Sequence, residues 1–511
     1  MFKMFLKIFK YKFFIDAMVF LILGTILYCV YEPVLKAHYL FHDDFYIFGW
    51  DHTKWQEHPQ FAISIKCGRL FYAFMFTFLF SFVNNVGDAK FIYVLAFLAV
   101  LFCSYLIYRS ASKSVSKFLA LQISLLIVTL PSFQLLASWA TAASQLTAVL
   151  LSSLAAGLVA KTYEPPKTFS TIELKAMAVV LVFIAFGIHQ QIAVFFWVIA
   201  TLELIAVYDT KGWEVFFKRG FVFGGVFLAA LVLYIPFMIY LSHFFPGQLL
   251  TNYDTSHVNF DFLSRLQWFM EFPLYRSLNL WLYPTSPMMA LFVIGLLFLS
   301  AFTVTWRIWH QNKDWKVILP ISLGVFVIFL GYLPVFVSHF QYTCYRNAIV
   351  ITPLLLIFII WGLKREGRVF GAIVLGLTIW VCIQTHFTIS KHIVQPRQGE
   401  FDYITERFKS LSSNTIYTIQ EVIPKPKESY EDDYDILTSF FSSDRPFILY
   451  AGFKSSGLPI ELWKKKRHFL LDFRDTCTYK EDSKNSTTNN IVFDLNKVIL
   501  PDNPYHFDCR Y

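Results

Sequence analysis

"QFAISIKCGRLFYAFMFTFLFSFV", residues 60–83, is nearly long and apolar enough to cross a bilayer, yet Lys66, Cys67, Gly68 and Arg69 fall near its start. How it is read fixes the orientation of everything that follows. Other apolar stretches of spanning length occur at about 14–34, 91–108, 118–136, 144–160, 176–190, 192–208, 220–243, 286–306, 317–338, 348–363 and 369–388. If 60–83 stays on one side, every second later loop is cytoplasmic. Those loops hold Arg109, Lys113 and Lys117; Lys161, Lys167 and Lys175; Lys211, Lys218 and Arg219; Arg307, Lys313 and Lys316; and Lys364, Arg365 and Arg368. A crossing at 60–83 would move all of these clusters outside, against the preference of basic residues for cytoplasmic loops. The local sequence agrees: Pro59 suits the first turn of a helix, and the charges and glycine would interrupt a span. We therefore read 60–83 as a helix lying in the outer interface or dipping partway in. Eleven spans follow, with the amino terminus cytoplasmic and the carboxyl terminus outside.

Composition independently demands a membrane. Of 511 residues, 56% are hydrophobic and only 15% charged, too little polar surface to cover a soluble globule of this size. The formal charge of +9 is spread in small clusters between apolar runs, which points to membrane orientation and away from a nucleic-acid partner. Lys3, Lys7, Lys10 and Lys12 precede Phe14 to Val34, a stretch of span length with no small-residue cleavage site after it, so it reads as a retained first helix. Cys29, Cys103 and Cys382 lie inside apolar runs, and no two of the seven cysteines have zinc-ligand spacing.

Three outer segments exceed simple turns: 35–90, 244–285 and the tail 390–511. The sequence thus divides into a membrane domain, 1–389, and a soluble α/β or mixed domain, 390–511. In the tail, strand-like runs "TIYTIQEV", "RPFILYAGF", "HFLLDF" and "NIVFDL" alternate with polar loops. Cys477 and Cys509 both lie there, so a disulfide is an open alternative. Asn485-Ser486-Thr487 has the form of a glycosylation sequon, meaningful only in a eukaryotic secretory setting.

The first outer segment contains "FHDDFYIFGWDHTKWQEHP", residues 41–59, with adjacent Asp43 and Asp44 and then Glu57, His58 and Pro59. One reading is that the pair caps or solvates the start of an interfacial helix. Against it, a lipid surface favours protonated carboxyls, which makes an acidic pair in an aromatic stretch costly unless it is used or paired. Neighbouring residues point in different directions, so the two carboxylates have different jobs.

An acidic pair soon after a first span, then "HP" opening a helix with basic residues beyond it, resembles the GT-C superfamily of membrane glycosyltransferases that use lipid-linked sugars. The residues are Asp43, Asp44, His58, Pro59, Lys66 and Arg69. Within it, the "DDF" loop, Gly68 to Leu70, "HQQ" at His189 to Gln191 and "CYRN" at Cys344 to Asn347 are most similar to the Gtr-type, serotype-converting O-antigen glucosyltransferases of bacteria and phages. The superfamily resemblance covers about residues 14–390 and leaves the tail uncovered. It implies a multi-pass protein of the bacterial inner membrane whose site faces the periplasm. It also implies an undecaprenyl-phosphate sugar donor, an O-antigen or other glycan acceptor, and single-displacement transfer with inversion.

That chemistry needs one base for the attacking hydroxyl and one cation for the departing phosphate. Asp44 or Asp43 suits the first task. For the second, a guanidinium binds two oxygens and stays charged, so Arg346 leads, followed by Arg276, Arg69 and Lys66. Snorkelling explains Arg346 equally, and headgroup contact explains Lys66 and Arg69. His189, Gln190 and Gln191 turn the chain between two spans, where they either line a substrate site or bond the turn. His58 and Glu57 are further substrate-side candidates, though His58 before a proline can simply shape the turn. Trp268, Trp281, Tyr283 and Tyr345 have faces on which a sugar can stack, but aromatic belts also mark span ends. Asp43, Asp44 and Glu57 offer oxygen ligands for a divalent cation without making a cage, so no metal or other cofactor is assigned.

Overall fold

The computed structural model describes residues 2–40, 44, 47, 59–163, 169–244, 261–282, 286–312, 318–337, 345–364, 368–409, 417–422 and 489–494. The protein is a polytopic α-helical membrane protein. Among the described residues, nine helices are long and apolar enough to cross a membrane, and a tenth is counted if the bent pair Lys117–Val128 and Pro131–Ser138 is one span. Of the eleven expected spans, the remaining stretch consists of Ile318–Leu330 and Leu333–Val337, flanked by residues outside those described.

Contacts along the first helix settle where the chain goes after it. Phe20 packs on Phe102 and Tyr105, Gly24 approaches Leu101, and Tyr39 stacks on Tyr93 at 5.1 Å. Residue numbers rise in one partner as they fall in the other, so Phe2–Lys36 and Lys90–Ala111 are antiparallel. The segment between them begins and ends at the same end of the bundle. Within it, 60–83 is not a continuous span: Pro59–Lys66 stops at Cys67–Arg69 and an eleven-residue helix, Leu70–Phe80, follows. Pro59 opens the first piece, where a missing N–H costs nothing. Gly68, at φ +75°, makes the break, a backbone state that disfavours any side chain.

The basic loops gather at the opposite end. Lys113 Nζ pairs with the buried Glu203 at 2.6 and 2.7 Å, Lys364 pairs with Asp209 at 3.4 Å, Arg307 donates to the Lys364 carbonyl, and Arg219 sits over Tyr163. Five of the loops expected to share one side of the membrane therefore meet at one end of the molecule.

Breaks in the spans are satisfied internally, as hydrocarbon requires. Pro131 bends its helix pair by 61°. Nearby carbonyls are taken up by side chains: Leu126 by Trp281 Nε1 (2.9 Å), Val128 by Tyr31 (2.7 Å), and Thr129 by Gln134 (2.7 Å) and Thr385 (3.2 Å). Close helix approach depends on small residues. A Cβ on Gly362 would meet the side chain and Cα of buried Ser300, whose hydroxyl donates to Phe358 O at 2.7 Å. Gly362→Ala is expected to lower unfolding stability by about 1–3 kcal/mol, and Ser300→Gly in the same chain to restore part of it, as read by thermal melting in detergent.

The last span has no boundary at 390. Arg368–Thr388 runs through a π-helical turn, Ile389–Val394, into Gln395–Lys409, so helix continues into the first part of the tail. Two of the four strand-like runs in the tail are strands: Tyr417–Val422 pairs in parallel with Asn489–Asp494. The other two runs, Cys477 and Cys509 lie outside the described residues.

Candidate functional site

Trp139 and His189 interrupt consecutive helices in the same way. Each is a single extended residue with a helix ending before it and a short helix starting after it (Trp139, φ −124°, ψ 112°; His189, φ −161°, ψ 115°). An extended residue at such a junction turns its side chain away from the helix surface and exposes the amides that follow it. Both junctions lie at the end of the bundle opposite the basic loops.

At the first junction the exposed amides hold a carboxylate. Asp44 is fully buried; its Oδ2 accepts from Ala140 N at 3.1 Å and its Oδ1 from Thr141 N at 2.7 Å. Two fixed donors stabilise the ionised form and set the plane of the group. Around it, Tyr39 donates to Ser138 O at 2.7 Å, Tyr93 donates to Tyr39 O at 3.2 Å, and the charges of Asp44 and buried Arg397 both act on Tyr39.

Cations gather at the Trp139 ring and the segment beside it. The Arg346 guanidinium lies 5.2 Å from the Trp139 ring centre, and Arg276 lies 5.9 Å from that of Tyr345, one residue before Arg346. Ser132 fixes this segment by donating to Tyr345 O at 2.6 Å. Arg346 and Arg69 both act electrostatically on His189. Arg69 Nε donates to Gln190 Oε1 at 3.2 Å. Gln190 Nε2 reaches Cys67 O at 2.5 Å and Tyr234 Oη at 2.6 Å, while Tyr234 donates to Gly68 O at 3.0 Å. Gln191 Nε2 donates to Gly331 O at 2.6 Å and Asn347 O at 3.1 Å. Gln190 and Gln191 thus tie the Gly68 break, the His189 junction and the Arg346 segment into one unit.

His189 is 2% exposed, and neither ring nitrogen has a hydrogen-bond partner among the described residues. Burial first, then the two arginine charges, hold its pKa well below the usual 6.5, so it is neutral at pH 7. The unfolded chain binds a proton there at a higher pH than the folded one does. Stability from this group is therefore full above pH 6.5 and declines as pH falls through and below that value. Thermal melting should show the wild type losing stability over that window, with a shallower loss in His189→Gln.

Asp44, Arg69, His189, Gln190, Gln191, Arg276, Tyr345 and Arg346 belong to this one region. Lys66 is half-buried at the end of the helix before the break. Trp268 is buried against Tyr332 and Arg265, and Trp281 donates into the bent pair, so both are packing residues and do not present open faces for a sugar. Asp43, Glu57, His58 and Tyr283 lie outside the described residues. Trp139, Tyr39, Tyr234 and Arg397 were missed. Trp139 had a signal, a single large ring within the small-residue run "ASWATAAS", but Tyr234 sits in an apolar stretch like any other core aromatic. Among the described residues no group of three or more His, Cys, Asp or Glu side chains could hold a metal ion.

Among the described residues the region brings together the guanidinium groups of Arg69, Arg276 and Arg346 and one carboxylate, Asp44, held in a defined plane. Comparison with known proteins adds nothing to this: no protein-family model matches the chain, and no curated protein matches it.

Proposed function

We propose that this protein is an inverting glycosyltransferase of the GT-C type, moving a sugar, glucose in our reading, from undecaprenyl phosphate to a hydroxyl of an O-antigen or other glycan acceptor. The observation that carries the reading is that one junction, Trp139, has a carboxylate, Asp44, clamped by the two amides after it and a guanidinium, Arg346, against its ring. In the reaction the acceptor oxygen bonds to the anomeric carbon from the face opposite the phosphate. Asp44 takes the hydroxyl proton, and the C–O bond to phosphate breaks with its electron pair going to the phosphate oxygen. The arginines stabilise the charge that develops there. No covalent enzyme intermediate is needed. In this reading the eleven spans lie in the bacterial inner membrane, the basic loops face the cytoplasm, and the site and tail face the periplasm.

A flippase for a lipid-linked glycan is the second reading. It is favoured by the bent pair at Pro131, because transporters build their sites from discontinuous helices. The two are separated by supplying purified protein in proteoliposomes with labelled undecaprenyl-phosphate glucose and an O-antigen-bearing acceptor. Transfer of label with release of undecaprenyl phosphate supports the enzyme. Movement of intact donor across the bilayer without transfer supports the flippase.

A further inference from the structure

At the end of the bundle that carries the basic loops, four helices leave a cleft between them. Its walls come from Phe196–Lys211, Trp213–Phe244, Ile318–Leu330 and Ile351–Leu363, and it holds about 430 Å³ of space, part of it open to the outside. Tyr208, Trp213 and Trp361, close to helix ends, form its mouth, while Thr201, Gly324 and Phe358 lie deeper. From Tyr208 to Thr201 is about two turns of helix, so the cleft runs about 10 Å inward. Three of the walls belong to helices long and apolar enough to cross a membrane, which puts the cleft at bilayer depth.

Aromatic packing holds it open. Tyr208 meets Trp213 and Trp361 edge-on at 6.1 and 6.0 Å, Trp213 stacks on Phe216 at 5.3 Å, and the Phe358 ring rests on Gly324, where a Cβ would come within 2.9 Å of it. The lining is apolar apart from the Thr201 hydroxyl and the polar edges of Tyr208 and the two tryptophans. Those are too few partners to hold water in place, and an unfilled cleft forfeits dispersion contacts. Inside a bilayer, what is at hand to fill it is a hydrocarbon chain. The mouth adds a preference for the headgroup. Trp361 Nε1 and Lys364 Nζ both reach Asp209, at 3.5 and 3.4 Å, and Arg307 donates to the carbonyls of Gly362 and Lys364. The chain segments that lead away from it, 209–219, 307–316 and 361–368, contain nine Lys or Arg residues and four Asp or Glu. Basic segments at a membrane surface attract anionic headgroups.

We infer that this cleft binds one acyl chain of an anionic phospholipid, whose headgroup rests among the basic segments at its mouth. The site lies at the opposite end of the bundle from Asp44 and Arg346 and does not depend on the glycosyltransferase reading. Two of its walls nevertheless reach that end: Phe196–Lys211 follows the His189 junction, and Ile351–Leu363 follows the turn that carries Arg346. A chain seated between them fills the space that separates these helices, and because it binds the folded protein it raises the melting temperature.

The test is native mass spectrometry of delipidated, detergent-solubilised full-length protein titrated with dioleoyl phosphatidylglycerol and, separately, with dioleoyl phosphatidylcholine. The wild type is expected to bind its first phosphatidylglycerol about fivefold or more tightly than later ones and than phosphatidylcholine. Thr201→Phe, which fills the deep part of the cleft, should lose that preferred first site. Val327→Phe fills the same space from another wall and serves if the first variant does not fold, as judged by melting and size-exclusion chromatography. Should neither fold, phosphatidylglycerol with a diazirine at the chain end is photolysed on the wild type. The label is expected in peptides that contain 201–216 and 358–361, and excess phosphatidylglycerol, but not phosphatidylcholine, should protect them. Equal binding of the two lipids, an unchanged first site in a folded variant, or label spread evenly over the spans overturns the inference. Displacement of phosphatidylglycerol by undecaprenyl phosphate at a much lower concentration overturns it too, by giving the cleft to an isoprenoid chain.

Discussion

Asp44→Asn is expected to reduce sugar transfer about 10²–10⁴-fold, the usual range for a lost general base. The substitution keeps size and shape and removes the charge. The two oxygens of Asp44 accept from consecutive amides, Ala140 N and Thr141 N. Asparagine can satisfy only one of them, because its nitrogen would face the other donor. Stability should therefore fall by about 1 kcal/mol, as for a weakened buried hydrogen bond or cap. The two effects separate cleanly: a melting temperature a few degrees lower cannot account for a hundredfold loss of rate at a temperature where the protein is folded. Asp44→Glu provides a further check, since it retains the charge but moves it by one methylene. Its loss should lie between those of wild type and asparagine, because a displaced base is a poorer one.

Gly68→Ala is the second large effect. At φ +75° a Cβ adds about 1–2 kcal/mol of backbone strain. The Cβ would also overlap Met238 and the Tyr234 hydroxyl. Tyr234 cannot simply withdraw, because it is bonded to Gly68 O and to Gln190, which in turn holds Arg69. With the overpacking included, a total loss of about 3 kcal/mol or more is expected. Transfer per folded molecule should fall as well, since the same displacement moves Arg69. A folded Gly68→Ala protein with unchanged melting and unchanged transfer would mean that the break has no part in the site.

Residues 60–83 could be read as interrupted because Lys66, Gly68 and Arg69 break an apolar pattern whose physical meaning is local. The clustering of the basic loops at one end was legible for a similar reason, since charge position along the chain is itself the signal. Asp44, Arg346 and the His189 trio were also visible, as polar groups at span ends. Their convergence was not. It depends on Trp139 and His189 adopting the same extended junction in successive helices, and on Gln190 bridging to a break 121 residues earlier, which no periodicity encodes. The roles of Trp281 and Trp268 failed in the opposite direction, because an aromatic at a span end has the same composition whether it lies in the interface or donates into a bent helix.

The most direct measurement is the rate of labelled sugar transfer from undecaprenyl-phosphate glucose in proteoliposomes containing matched amounts of folded wild type, Asp44→Asn and Arg346→Ala. The expected result is transfer by wild type and a loss of about 100-fold or more in each variant, with melting temperatures little changed, because one supplies the base and the other the cation for the leaving phosphate. Wild-type transfer that survives both substitutions would contradict the assignment of this region as the place where the sugar is moved.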